Sequence, residues 1–160
     1  MTKRMASGAD SGQRCSIGRA LEVVGDRWSL LILREAVQGA TRFSEFRERL
    51  HVASDVLTQR LGVLVDGGVL EKRPYREDGA RTRMAYRLTP AGRDLIVVIG
   101  ALQQWGDLHR PHPDGPLVHR ASRATGRPLR VAFIDDEGKE SPLDDVHLAA
   151  RFDRPQGPEA

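Results

Sequence analysis

The sequence predicts a mainly helical α+β chain, with one β-hairpin set into a series of helices and a small β appendage near the C-terminal end. Three observations carry this expectation. Residues 54–66, SDVLTQRLGVLVD, place apolar side chains at helical spacing. Past Gly67 and Gly68 the period falls to two in VLEKRPYR and RMAYRLT, which flank an Asp-Gly turn signal. Thr89 and Pro90 then open a further apolar helical run, Pro being favoured at a first helical position.

The elements follow in order. Residues 1–14, MTKRMASGADSGQR, are polar and rich in small residues, which predicts a flexible segment without the apolar stretch of a secretory signal. In SIGRALEVVG, Ile17, Leu21 and Val24 share one helical face. Gly25 ends that helix and Asp26 caps the next. This second helix, DRWSLLILREAVQG, is apolar nearly all round and belongs at the centre of the core, with Gly39 closing it. TRFSEFRERL forms a short helix with Phe43, Phe46 and Leu50 on one side.

After a short turn, Ser54 is the expected N-cap of a helix that buries Leu57, Leu61, Leu64 and Val65. Its opposite face centres on Gln59 and includes Asp55, with Thr58 and Arg60 on the flanks. In the hairpin, Tyr75, Met84, Tyr86 and Leu88 are expected to fasten the strands to the core. One helix is expected from Pro90 to about Leu108. Ile96, Val97 and Ala101 make it apolar beyond a single stripe, so it needs a second burial partner, which a second copy of the chain would supply. Residues 110–116, RPHPDGP, read as a linker. Within 117–152, PLRVAFID reads as a strand, DDEG as a turn and HLAARF as another strand, and 153–160 as a loose tail.

Charge and composition narrow the function classes. The chain carries 25 Lys and Arg against 22 Asp and Glu, a formal net charge of +3. Residues 40–93 hold eleven basic and seven acidic side chains, whereas residues 111–160 hold seven and nine. This asymmetry suits an anionic partner for the middle segment, and it also suits ordinary scatter over a solvated surface. A single cysteine excludes an intramolecular disulfide and a cysteine-rich zinc site. No apolar run approaches the roughly 20 residues of a membrane helix. The chain reads as cytoplasmic, with no membrane role. No nucleophile triad, phosphate-binding glycine loop or paired metal ligands stand at useful spacing, so no enzyme, metal or cofactor is expected. His109 and His112 flank prolines and give only a weak metal signal.

Helix, helix, helix-turn-helix, hairpin and long helix, in that order, make a winged helix-turn-helix plan. A recognition helix must bury its leucines while projecting polar groups into the major groove. Ser54, Asp55, Thr58, Gln59 and Arg60 are the candidates. Gln can bond adenine through two hydrogen bonds, and Arg can bond guanine or a phosphate. The wing tip REDGARTR offers Arg76, Arg81 and Arg83 to phosphates or the minor groove. Thr41 and Arg42 open the preceding helix, where free N–H groups would face a phosphate. Taken singly, a leucine-rich helix with a polar back is an ordinary surface helix, and a basic hairpin is an ordinary protected edge. Their ordered combination favours DNA.

The residues that carry a family resemblance are Cys15, GDRWSLLILREAVQGATRF, LTQRL, DGGVLEKR, YRLTPAG and ALQQWG. With these motifs the chain resembles the HxlR-type transcriptional regulators, relatives of the MarR group, over residues 15–109. The resemblance implies a homodimeric winged-helix regulator on a pseudo-palindromic operator in double-stranded DNA. It implies groove-facing roles for Ser54, Asp55, Thr58, Gln59 and Arg60, and backbone contacts for Arg42 and Arg83. The wing REDGARTRMAYRL replaces the family's proline-containing turn, and the tail after Leu108 is longer than in minimal members.

The resemblance also implies a candidate redox sensor at Cys15, since some members sense oxidants or electrophiles through a cysteine near this position. A helix N-terminus and the neighbouring Arg14 and Arg19 would favour a thiolate there. The plain alternative is an inert thiol at the helix entry. A small-molecule effector is the rival input, with Trp28 and Trp105 as candidate pocket residues, although both suit plain core. The alternative function is a winged-helix protein-interaction module whose arginines serve an acidic protein surface. A salt titration on random duplex DNA separates the two, because only a DNA reader shows a steep slope.

Overall fold

The computed structural model describes residues 15–76 and 81–148. The elements are α1 (Ser16–Val24), α2 (Arg27–Val37), α3 (Phe43–Leu50), α4 (Ser54–Asp66), β1 (Leu70–Tyr75), β2 (Arg83–Leu88), α5 (Pro90–Asp94), α6 (Ile96–His109), β3 (Phe133–Ile134) and β4 (Glu140–Ser141). The expected mainly helical fold with a β-hairpin wing and a small C-terminal sheet is present. The chain forms two compact units, one through Gln103 and one from Gln104, so the division falls inside α6.

In the first unit, the leucine face of α4 meets α2. Ile32, Leu33, Phe46, Leu57, Leu61 and Leu64 are fully buried. Asp26 caps α2 as expected, accepting the Trp28 N–H at 2.9 Å. The end of α4 shows why two glycines stand there. Gly68 takes φ 69°, and the Val69 N–H folds back onto the Leu64 carbonyl at 2.9 Å. That reversal launches β1, which pairs antiparallel with β2 from Leu70 opposite Leu88 to Tyr75 opposite Arg83. The Asp-Gly turn of the wing lies outside the described residues.

The chain ahead of α3 extends this hairpin. The Tyr86 N–H donates to the Thr41 carbonyl at 2.7 Å, and Arg42 bridges to Ala85. Tyr86 and Leu88 pack on the core as expected, but Met84 is exposed and the small Ala85 takes the buried place. A two-residue period identifies strand faces, but it does not tell which face a third segment will cover.

Two helix boundaries differ from expectation. The N-cap of α4 is Ala53, and Ser54 is the first helical residue, because the Leu57 N–H closes the first turn on the Ala53 carbonyl at 3.0 Å. The helix expected from Pro90 to Leu108 is broken at Leu95 into α5 and α6. The short α5 is pinned at its start. Thr89 Oγ1 accepts the Gly92 N–H at 3.0 Å and donates to the Gly68 carbonyl at 2.6 Å. Gly92 approaches the residue ahead of β1 so closely that a Cβ there would stand 2.1 Å from the Val69 carbonyl oxygen. Leu95 and Ile99 then turn onto the core.

In the second unit, β3 and β4 form a two-residue pairing. The turn between them is fixed by Asp135 Oδ1, which accepts the N–H groups of Glu137 and Lys139 at 3.0 and 2.8 Å. The expected strand PLRVAFID thus shrinks to Phe133–Ile134. HLAARF is not a strand at His147 and Leu148, and its remainder lies outside the described residues. The Gln104 side chain pairs with the backbone of Val131 in both directions, at 3.0 and 2.9 Å, and Arg120 meets Asp107 at 3.1 Å. No described residue of this unit is buried. Polar clasps and a tight turn give it shape in place of an apolar core. Among the described residues, no helix is long and apolar enough to cross a membrane.

Candidate nucleic-acid interface

The helix-turn-helix consists of α3, a turn over residues 51–53, and α4. His51 makes the turn by taking a left-handed conformation, φ 49°, at the end of α3, while Val52 is buried beneath it. Burial of the α4 leucines fixes the rotation of the helix, and Ser54, Asp55, Thr58 and Gln59 are consequently exposed. Thr58 Oγ1 donates to the Ser54 carbonyl at 2.7 Å. Its hydroxyl proton is thereby engaged and its lone pairs stay open to a donor. Gln59 is exposed at the centre of the solvent face, where the sequence puts it.

Arg60 is placed differently from its four neighbours. It is half-buried, and its Nε lies 3.1 Å from Asp26 Oδ1 in ion-pair contact. It therefore ties α4 to the start of α2.

The entry to α3 is built by Glu45. Its carboxylate accepts the N–H groups of Thr41 and Arg42 at 2.7 and 2.9 Å. Those two bonds, with the burial and charges around them secondary, hold the Glu45 carboxyl below its ordinary value. The expectation of free N–H groups at Thr41 and Arg42 is therefore corrected, since a side chain from the next turn satisfies both. The Arg42 guanidinium stacks on Tyr75 with 4.9 Å to the ring centroid, which brings the α3 entry against the wing. A concavity of about 400 Å³ lies there, lined by Phe43, Ser44, Tyr75, Arg83, Met84 and Tyr86. Arg81 and Arg83 are exposed on the wing.

Sequence reasoning missed three contacts here: Arg42 on Tyr75, Asp26 with Arg60, and the buried Glu35. Glu35 is 5% exposed, accepts Arg34 Nη2 at 2.6 Å, and lies 3.6 Å from Arg49 of α3. The first two join residues far apart in sequence. Only the third leaves a local trace, the one acidic residue within α2.

Cys15 is exposed and caps α1, its Sγ accepting the Gly18 N–H at 3.4 Å. Arg14 lies outside the described residues. Trp28 packs against the core cluster with the Arg27 guanidinium over its ring. Trp105 is not core: it is 57% exposed, with its ring 5.1 Å from that of His109. Neither tryptophan lines the concavity beside the wing.

Known proteins give the same architecture. The chain is 50% identical over 103 residues to the uncharacterized HTH-type transcriptional regulator Rv3095 of Mycobacterium tuberculosis, a match spanning 64% of each chain. Among solved structures it is similar to PA1607, described as a putative transcription factor, with TM-score 0.75 and 34% identity, over 88% of this chain and 98% of that one. It is also similar to the redox regulator HypR in its reduced form, with TM-score 0.55 and 26% identity, over 60% of this chain and 94% of that one. Residues 23–114 match the family model of the HxlR-like helix-turn-helix proteins. The chain belongs to the HxlR-like helix-turn-helix family.

Proposed function

We propose that this chain is a homodimeric, sequence-specific DNA-binding transcriptional regulator. The observation that carries the reading is the two-sidedness of α4. Leu57, Leu61 and Leu64 are wholly buried, while Asp55, Thr58 and Gln59 stand in solvent. Such a helix presents hydrogen-bonding groups on a rigid support, as groove recognition requires. In this reading Ser54, Asp55, Thr58 and Gln59 face the major groove, and Arg42, Arg81 and Arg83 contact the backbone or minor groove. Arg60 reaches a phosphate from its place beside Asp26.

Dimerisation is supported by apolar side chains left in solvent. Ile17 and Leu21 of α1 are more than half exposed, and so is Val97 of α6, with Ile96, Val98 and Leu102 close behind. Apolar surface on that scale favours a protein partner. A two-fold dimer would read a pseudo-palindromic operator. The regulator's input is a small molecule or an oxidant or electrophile, the latter supported by the exposed Cys15. Residues 117–152, joined through 110–116, serve stability or assembly, because their six basic and six acidic side chains leave no positive excess to attract phosphates.

Selection of bound duplexes from a random pool, followed by a salt titration of the selected site, tests the reading. A steep fall in affinity with salt and an enriched two-fold-related sequence support it. Weak, salt-insensitive binding with no enriched sequence would replace it with a protein-interaction module.

A further inference from the structure

Tyr75 ends β1 and is half-buried, yet it does not pack where its sequence pattern sends it. Among the described residues of the hairpin, Tyr86 and Leu88 pack against the core cluster and Tyr75 does not. Its ring instead lies under the Arg42 guanidinium, 4.9 Å from the centroid. A cation at that separation is attracted to the aromatic face.

Arg42 is fixed at both ends. Its backbone N–H donates to the Glu45 carboxylate at 2.9 Å, and its backbone bridges to Ala85 of β2. Tyr75 holds the far end of the side chain. Tyr75 in turn stands opposite Arg83 in the register of the two strands. Residues directly opposite in an antiparallel pair point to the same face. Tyr75 and Arg83 accordingly line one concavity, with Phe43 and Ser44 of α3 on its other side. The ring thus touches one arginine, from the α3 entry, and is the cross-strand neighbour of another, from the wing.

We propose that Tyr75 is a positioning residue for DNA-backbone contact: it holds the Arg42 guanidinium against the wing, so that Arg42 and Arg83 address one stretch of sugar-phosphate backbone as a pair. The inference rests on the DNA-binding reading and adds the residue that sets the Arg42 side chain in place. A loose arginine must be immobilised when it meets a phosphate, whereas one already held on a ring has lost that freedom before DNA arrives. A guanidinium lying over a ring keeps its N–H donors in its own plane, and these are the groups that bond phosphate oxygens. A mere brace, by which Tyr75 fastened the hairpin to α3, would act without regard to the charge on Arg42.

The test uses the full chain with Tyr75→Leu, which keeps an apolar side chain and removes the aromatic face, and with Tyr75→Phe, which keeps the ring. Affinity for a random-sequence duplex is measured for each, with and without Arg42→Ala. Tyr75→Leu should weaken binding about two- to tenfold for each protomer bound, the cost of ordering one long side chain. Tyr75→Phe should restore the parent affinity, and Tyr75→Leu should add no loss once Arg42 is alanine. In the free protein, the Arg42 Nε–H proton signal, assigned by its loss in Arg42→Ala, should lie upfield through the ring current. It should return to the ordinary arginine position in Tyr75→Leu and not in Tyr75→Phe. An equal loss with Tyr75→Phe would make the phenol itself the contact, and an undiminished loss beside Arg42→Ala would make Tyr75 a brace; either overturns the proposal. An Arg42 signal at the ordinary position in the parent protein overturns it without any change at Tyr75, so a Tyr75→Leu variant that failed to fold would not shield it. Parent binding with an unaltered Tyr75→Leu removes this inference alone, whereas no binding by the parent removes the DNA-binding reading and the inference with it.

Discussion

The Asp26 carboxylate accepts the Trp28 backbone N–H at 2.9 Å and stands 3.1 Å from Arg60 Nε. One side chain thus starts α2 and steadies a residue on the flank of α4. Removing the cap by Asp26→Ala should cost about 1–2 kcal/mol of stability. A double-mutant cycle with Arg60→Ala, read by urea unfolding, should give a coupling of about 0.2–1 kcal/mol, the scale of a partly exposed pair. Strict additivity of the two losses would remove the pair from the account.

Glu45 predicts a pH dependence. Its folded carboxyl is held below the ordinary value, first by the Thr41 and then by the Arg42 N–H. Its contribution is therefore complete above the unfolded-state value and is lost as the pH falls through the lowered folded one. Glu45→Ala should cost about 1 kcal/mol at neutral pH, and the gap to the parent protein should close in acid. Unfolding curves across the acid range check this, and a gap independent of pH would contradict it.

Two glycines should respond oppositely to one substitution. A Cβ at Gly92 meets the Val69 carbonyl oxygen at 2.1 Å, whereas at Gly62, within α4, it meets nothing within 4 Å. Gly92→Ala should destabilise by about 1–3 kcal/mol or more through overpacking. Gly62→Ala should stabilise by about 0.5–1 kcal/mol through helix propensity. Thermal melts of both variants decide it, and two changes of the same sign would refute the packing described here.

These glycines also show what could be read in advance. The pair Gly67 and Gly68 announced the end of α4 because a change of period surrounds them. The core face of α4 was legible because leucines at helical spacing admit one burial direction. Gly92 gave no such signal. Its requirement comes from the backbone just ahead of β1, more than twenty residues away. Arg60 and Gln59 are adjacent and both polar, so sequence grouped them on one surface. The contact that separates them is made by Asp26 on another helix. Periodicity reports which face is buried, whereas ion pairs between elements depend on how those elements pack. The strand PLRVAFID is shorter than its pattern suggests for a related reason: it has no core to pair over, and the shape of this unit rests on contacts such as Gln104 with Val131.

The exposed apolar residues of α6 predict an assembly defect. Val97 is 61% and Ile96 45% exposed. Val97→Glu or Ile96→Glu should yield monomers in sedimentation at concentrations where the parent protein is dimeric, because a buried charge at a two-fold seam is met by its own copy. Dimers persisting in both variants would move the seam away from this face.

The central claim is that the exposed face of α4 reads bases, and Gln59 stands at the middle of that face. The most direct measurement is the affinity of the Gln59→Ala variant for the selected operator and for random duplex at one fixed salt concentration. The account predicts a loss of about 1–3 kcal/mol on the operator and a much smaller loss on random DNA. Equal losses on both, or none on either, would show that α4 does not read sequence.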